Sequence, residues 1–255
     1  MNALLEISGL NQNFGGVRAV DDFSLLVMPG TIHGLIGPNG AGKTTIFNVI
    51  TGLYKPSSGS ILFKGEELVG RRTFEIANKG IGRTFQNIRL FPKLSVLENV
   101  IIAGHKDAHY GFLEALTHMG RYSRVVRKRR ERSHALLAEV GLEDLADKQA
   151  SSLPYGLQRR LEIARALAAK PKLLLLDEPA AGMNPQETQE LMEMIRWIKK
   201  EFGLTILLIE HDMSLVMGIC ERIYVLEYGE IIAEGTPKEI KENPEVIRAY
   251  LGGEA

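Results

Sequence analysis

The 255-residue chain holds a single cysteine, Cys220. One thiol excludes a disulfide framework and any zinc site built on paired cysteines, and it suits a reducing compartment. Long apolar runs are missing too. None reaches the ~20 residues that a membrane span requires, so a chain serving a membrane would do so from outside the bilayer. There is no excess of either charge, because 31 Lys plus Arg balance 31 Asp plus Glu. Nothing global therefore selects nucleic acid as the partner. The opening MNALLEISGL carries Glu6 where a secretory leader would carry basic residues, so no signal peptide is expected. Internal repeats and low-complexity tracts are also lacking.

What is present alternates. The first third sets short β-like runs (LLEISGL, FSLLVM, TIHGLIG, GSILFKG) between glycine-rich turns. From Leu94 to Ala150 that texture gives way to helical spacing, with a basic run from Arg121 to Arg132. Apolar strand patterns return at KLLLLDEP and LTILLIEH, each followed by a helical segment. A hairpin-like RIYVLEYGEIIAEG and a short helix then close the chain. Leu- and Ile-rich strands alternating with helices imply a parallel sheet covered on both faces. Residues 1–93 and 160–255 are expected to form this α/β core, and 94–159 a helical insertion.

The nonapeptide GPNGAGKTT comprises Gly37, Pro38, Asn39, Gly40, Ala41, Gly42, Lys43, Thr44 and Thr45. It fits the phosphate-loop pattern G-x-x-x-x-G-K-[ST], with an apolar strand before it and a helical segment after it. Glycines let the backbone curl so that successive N–H groups point at phosphate oxygens, and the following helix adds its positive dipole end. Lys43 supplies a point charge for the β- and γ-phosphates, and the Thr44 hydroxyl suits a magnesium ion. KLLLLDEP ends an apolar strand at Asp177, which puts a carboxylate at the sheet edge where doubly wound folds bind ligands. Asp177 can hold magnesium through water. Glu178 follows directly and can polarise an attacking water as general base. His211 ends the next buried strand and is expected near the same phosphate. Gln86, in GRTFQNIRLF, is a polar residue at a strand end leading into the insertion.

Together these residues resemble the nucleotide-binding subunits of ATP-binding cassette transporters, over essentially the whole chain. The resemblance implies a RecA-like P-loop NTPase core, an antiparallel β segment near the N-terminus, and ATP and Mg2+ as ligands. It identifies Gln86 as the glutamine-loop residue that reaches magnesium and the attacking water, His211 as the switch histidine, and Phe14 as the aromatic that stacks on adenine. Within the family, IGRTFQNIRLF, YGLQRRLEIARAL, LDEPAAGMNP, LLIEHDMSLVMGI and NPEVIRAYLG look most like the ATPases of bacterial branched-chain amino acid uptake. The ATPase of lipopolysaccharide export is the nearest alternative, and a cassette ATPase acting on DNA or ribosomes a more distant one.

The family's signature motif usually reads Leu-Ser-Gly-Gly-Gln and faces the ATP held by the other subunit of a head-to-tail dimer. Here Leu153 and Gly156 match, while Pro154, Tyr155 and Leu157 replace the serine, the first glycine and the glutamine. Gly156 can still bring its N–H to the partner's ATP, but the hydroxyl is gone. The implied partners are two transmembrane permease subunits, a second ATPase subunit, either a copy or a paralogue, and indirectly an extracytoplasmic amino-acid binding protein. The implied location is the cytoplasmic face of the bacterial inner membrane, with no nucleic acid involved. The basic run from Arg121 reads either as a solvated face or as a contact with anionic lipid or a membrane subunit. Phe85, Leu90 and Phe91 read as core or as a groove for a permease helix.

Overall fold

Turn chemistry and hydrophobic period place most elements of this chain before any long-range contact is considered. The computed structural model describes residues 2–104 and 121–251. A hairpin opens the chain, with β1 (Leu5–Phe14) and β2 (Val17–Val27) joined at Gly15, whose φ of 57° suits a residue without a Cβ. Next come β3 (Ile32–Ile36), helix α1 (Lys43–Ile50), β4 (Ser58–Phe63), β5 (Glu66–Glu67), α2 (Thr73–Lys79) and β6 (Ile81–Arg83). Helices α3 (Val96–Ala103), α4 (Arg121–Glu139) and α5 (Tyr155–Ala168) occupy the middle of the chain. The last third runs β7 (Leu173–Asp177), α6 (Pro185–Phe202), β8 (Thr205–Ile209), α7 (Met213–Ile219), β9 (Arg222–Glu227), β10 (Glu230–Gly235), α8 (Pro237–Glu242) and α9 (Pro244–Leu251). No described helix is long and apolar enough to cross a membrane.

Two sheets result. An antiparallel sheet runs β2-β1-β4-β5, and alternate residues of β1 are buried at Leu5, Ile7, Leu10 and Gln12, with a bulged register between Ile7 and Leu10. The second sheet runs β10-β9-β3-β8-β7-β6, parallel except for the β9–β10 hairpin. Every residue of β3, β7 and β8 is buried, as the unbroken apolar runs require. Because these three strands lie side by side and parallel, their carboxyl ends and the loops that follow them share one edge.

Helix α6 shows how locally its limits are written. The Asn184 side chain accepts from the N–H groups of Gln186 and Glu187, Pro185 takes the first helical position, and Gly203 ends the helix at φ 57°. Its buried face is Leu191, Met192, Met194, Ile195 and Ile198.

The chain divides into two compact units, Met1–Gln86 with Lys172–Ala255, and Asn87–Pro171. These limits differ from the 93/94 and 159/160 boundaries drawn from composition. The position 159/160 falls inside α5, which lies wholly in the second unit. Its buried residues, Leu161, Ile163, Ala164 and Leu167, belong to a helix packed against α3 and α4. In the same unit the fully buried Arg159 donates to Glu162 Oε2 at 2.9 Å and to the Tyr155 hydroxyl at 3.0 Å. Phe91 lies in this unit, within cation–π distance of the Arg165 guanidinium, and Phe85 belongs to the first unit.

Candidate active site

The phosphate loop follows β3, and its three glycines take a backbone conformation that disfavours a side chain. Gly37, Gly40 and Gly42 take φ of 147°, 80° and 104°. A Cβ on Gly37 would stand 1.9 Å from the Leu226 carbonyl oxygen, and one on Gly42 would stand 2.3 Å from that of Ala19. Neighbouring backbone therefore presses on the loop from β9 and β2. The loop is also tied to the β9–β10 turn, where Gly229 N–H donates to the Ala41 carbonyl at 3.0 Å. Gly42→Ala combines this overlap with a left-handed conformation that costs an L-residue ~1–2 kcal/mol. Affinity for ATP, measured by equilibrium binding, is expected to fall by about tenfold or more, since 1.4 kcal/mol is one decade.

Lys43 begins α1 with its ammonium turned back into the loop, donating to the carbonyls of Gly37 at 2.7 Å and Pro38 at 2.9 Å. Burial pushes its pKa down, while Glu178 and then Asp177 pull it back up. The two strand-end acids are thus within electrostatic reach of the lysine, as their motif order implied. Thr44 is exposed and Thr45 half-buried on the first turn of α1.

Asp177, the last residue of β7, is buried and does not stand alone. Arg83 Nη2 donates to its Oδ2 at 2.8 Å, while Nη1 reaches Asn48 Oδ1 at 2.8 Å and Thr51 Oγ1 at 3.1 Å. The guanidinium lies between the rings of Phe47 and Phe85, 5.5 and 4.9 Å from their centroids. Sequence reasoning missed Arg83. The available signal was one charge inside the short apolar strand that leads to Gln86.

Glu178 breaks from the strand at φ 48°, with its N–H donating to Ile209 O at 2.9 Å. That kink, strained for a residue with a side chain, accompanies a three-way contact. Gln86 Nε2 donates to Glu178 Oε2 at 2.7 Å, and His211 Nε2 lies 2.8 Å from Glu178 Oε1. The three residues singled out as Glu178, Gln86 and His211 therefore meet, although 92 and 33 positions separate the pairs. Gln86 meets Glu178 through its amide nitrogen, not its carbonyl oxygen. Glu210, one residue before His211, was also missed. Its buried carboxylate accepts N–H groups from Ala180, His211 and Asp212.

Phe14 is 44 % exposed at the end of β1 and meets the ring of Tyr54 edge-on, with centroids 5.2 Å apart. Tyr54 was not anticipated as part of an aromatic platform. In the second unit Gly156 sits on the first turn of α5, behind Pro154 at φ −54° and ψ 153°. No side chain caps this helix, in keeping with the loss of the serine hydroxyl.

The arrangement offers a phosphate-binding loop with the Lys43 ammonium turned into it and, within electrostatic reach of that ammonium, the carboxylates of Glu178 and Asp177. Comparisons with known proteins agree with this chemistry. The profile of the ABC transporter family matches residues 20–181, and that of the branched-chain amino acid ATP-binding cassette transporters matches residues 230–255. The chain is 49% identical over 249 residues to the high-affinity branched-chain amino acid transport ATP-binding protein LivG of Escherichia coli (strain K12), covering 98% of each chain. It is 47% identical over 249 residues to the protein of the same description, BraF, of Pseudomonas aeruginosa, again covering 98% of each. Among solved structures, the ADP conformation of MJ1267, an ATP-binding cassette of an ABC transporter, superposes with a TM-score of 0.85 at 31% identity, covering 99% of this chain and 100% of that one.

Proposed function

The chain belongs to the ABC transporter family of ATP-binding proteins, and from that premise we propose that it energises import of branched-chain amino acids through a membrane permease. The observation that carries the ATPase chemistry is the Glu178 carboxylate held between Gln86 at 2.7 Å and His211 at 2.8 Å. The branched-chain assignment rests on the likeness to LivG and BraF and on the match of the last 26 residues, 230–255. The same features favour it over lipopolysaccharide export.

In this reading the N–H groups of Gly40 to Thr45 and the Lys43 ammonium bind the β- and γ-phosphates. Phe14, buttressed by Tyr54, stacks on adenine. Magnesium would be held by the Thr44 hydroxyl, by Asp177 through water and by the Gln86 carbonyl oxygen, where it would screen phosphate charge. The residues present suit it, since Arg83 engages only Oδ2 of Asp177 among the described contacts. Glu178 accepts the proton of the attacking water, His211 fixes the Glu178 carboxylate and reaches the γ-phosphate, and Gln86 orients the water. Two cassettes, this chain with a copy or a paralogue, close head-to-tail over two ATPs. Each signature region faces the other's nucleotide, with Gly156 donating its N–H. Closure on ATP and opening after hydrolysis drive two permease subunits at the cytoplasmic face of the inner membrane, which receive the amino acid from an extracytoplasmic binding protein.

Pro154 makes the signature of this chain the weaker one. Loss of a charge-assisted hydrogen bond corresponds to ~1.5–3 kcal/mol. Pro154→Ser is therefore expected to raise turnover at the partner's site, read as phosphate release from transporter whose other site carries a base-to-glutamine change. Unchanged turnover in a folded variant would remove the signature from that role. The whole reading is tested by gentle purification of the tagged chain from solubilised native membranes. Two permease subunits and a second cassette are expected to accompany it. Lipopolysaccharide-export components, or ribosomes or DNA without a permease, would overturn the uptake assignment and leave the ATPase.

A further inference from the structure

Glu210 is 2% exposed, directly after the last residue of β8, and takes no part in the chemistry described above. Both of its oxygens are engaged. Oε1 accepts the Ala180 N–H at 2.7 Å, and Oε2 accepts the N–H groups of His211 at 2.9 Å and Asp212 at 3.2 Å. Ala180 stands two residues beyond Glu178 in the loop from β7 to α6, and His211 and Asp212 lead into α7. One buried side chain therefore ties the loop carrying the general base to the loop carrying the histidine.

Burying a carboxylate is unfavourable unless its oxygens are satisfied. Here burial pushes the Glu210 pKa up and the neighbouring Asp212 adds to the rise, while the three N–H groups oppose it. Asp212 is itself turned to its own helix, capping Ser214 and Leu215. Three donors converging from two loops need an acceptor at each end of one side chain, and only a carboxylate has two acceptor oxygens. A glutamine would satisfy one loop and aim its NH2 at the N–H of the other.

We propose that Glu210 is a positioning residue for ATP hydrolysis. It holds the Ala180 loop and the His211 backbone in one frame, so that His211 Nε2 stays in contact with Glu178 and the two loops move together. The inference rests on the ATPase reading of the site. It predicts a defect in turnover separate from nucleotide binding, because the phosphate loop is anchored elsewhere, to β2 and β9.

The test compares Glu210→Gln with the unaltered full-length chain. The expected result is a fall in kcat of about tenfold to a hundredfold, as displacement of a catalytic group by roughly 1 Å can produce. KM and Kd for ATP should stay within about twofold. The imidazole 1H–15N signals of His211, identified by their loss in His211→Ala, should shift, while the urea midpoint falls only by what the N–H groups of one loop, left facing the glutamine NH2, cost. An unaltered kcat would overturn the proposal. So would an equal loss of ATP affinity, turnover and stability, which marks a merely structural residue. If Glu210→Gln does not fold, Glu210→Asp keeps both acceptors on a side chain one methylene shorter. It should then give an intermediate kcat at unchanged ATP affinity, and a wild-type rate would overturn the proposal. If the unaltered chain fails to hydrolyse ATP, the ATPase reading falls instead.

Discussion

Glu178→Gln binds ATP as tightly as the unaltered chain and hydrolyses it ~10²–10⁴-fold more slowly, the range that a positioned general base contributes. The substitution removes the proton acceptor while keeping the shape of the side chain. A glutamine can still present its carbonyl oxygen to one of the two neighbours that now hold the Glu178 carboxylate, Gln86 at 2.7 Å and His211 at 2.8 Å. Lys43 keeps its bonds to the carbonyls of Gly37 and Pro38, so the phosphate loop is undisturbed. With closure intact and hydrolysis stopped, ATP-bound dimers accumulate. Single-turnover phosphate release and size-exclusion chromatography with ATP measure both effects. Turnover near that of the unaltered chain would remove Glu178 from the role of base.

Arg83→Ala is expected to destabilise the α/β unit by ~3–5 kcal/mol, the cost of removing one partner from a buried ion pair. The pair is inside the protein, with side-chain exposures of 6% for Arg83 and 3% for Asp177, so solvent screening does little to soften the loss. Three acceptors, Asp177, Asn48 and Thr51, lose their donor at once. The guanidinium contacts with the rings of Phe47 and Phe85 go too. Arg83→Met restores part of that packing without the charge, and Arg83→Met with Asp177→Asn should recover most of the stability, because removing both charges leaves nothing buried and unpaired. Urea unfolding measures the free energy, and the thermal midpoint should fall by roughly 6–20 °C at 2–4 °C per kcal/mol. If the single and double variants were equally unstable, the electrostatic account would fail and only the packing would remain.

The sequence was most legible where local chemistry decides structure. The phosphate loop declared itself through glycines placed where the structure shows positive φ and, at Gly37 and Gly42, where a Cβ would collide with backbone. Asp177 and Glu178 were legible because a short unbroken apolar run alternating with helical segments reads as a buried parallel strand, whose carboxyl end lies at the ligand edge of such a sheet. The compact units break at 86/87 and 171/172, whereas the sequence texture broke at 93/94 and 159/160, because composition changes gradually while a helix such as α5 packs along its whole length.

Arg83 and Glu210 escaped notice because their meaning is set by partners far away in the chain. Arg83 contacts Asp177 across 94 positions, and Glu210 contacts Ala180 across 30. A charged residue beside a strand looks the same in sequence whether it is solvated or is a buried anchor. The amino-acid sequence by itself determined the period of each element, the residues of the phosphate loop and the carboxylates at the end of β7. Only the tertiary structure decided which of these groups touch, since hydrogen bonds span about 3 Å and sequence distance carries no information at that range. It is the parallel pairing of β7 with β8 that brings Glu178 to His211, and with them the buried carboxylate of Glu210 that joins the two loops.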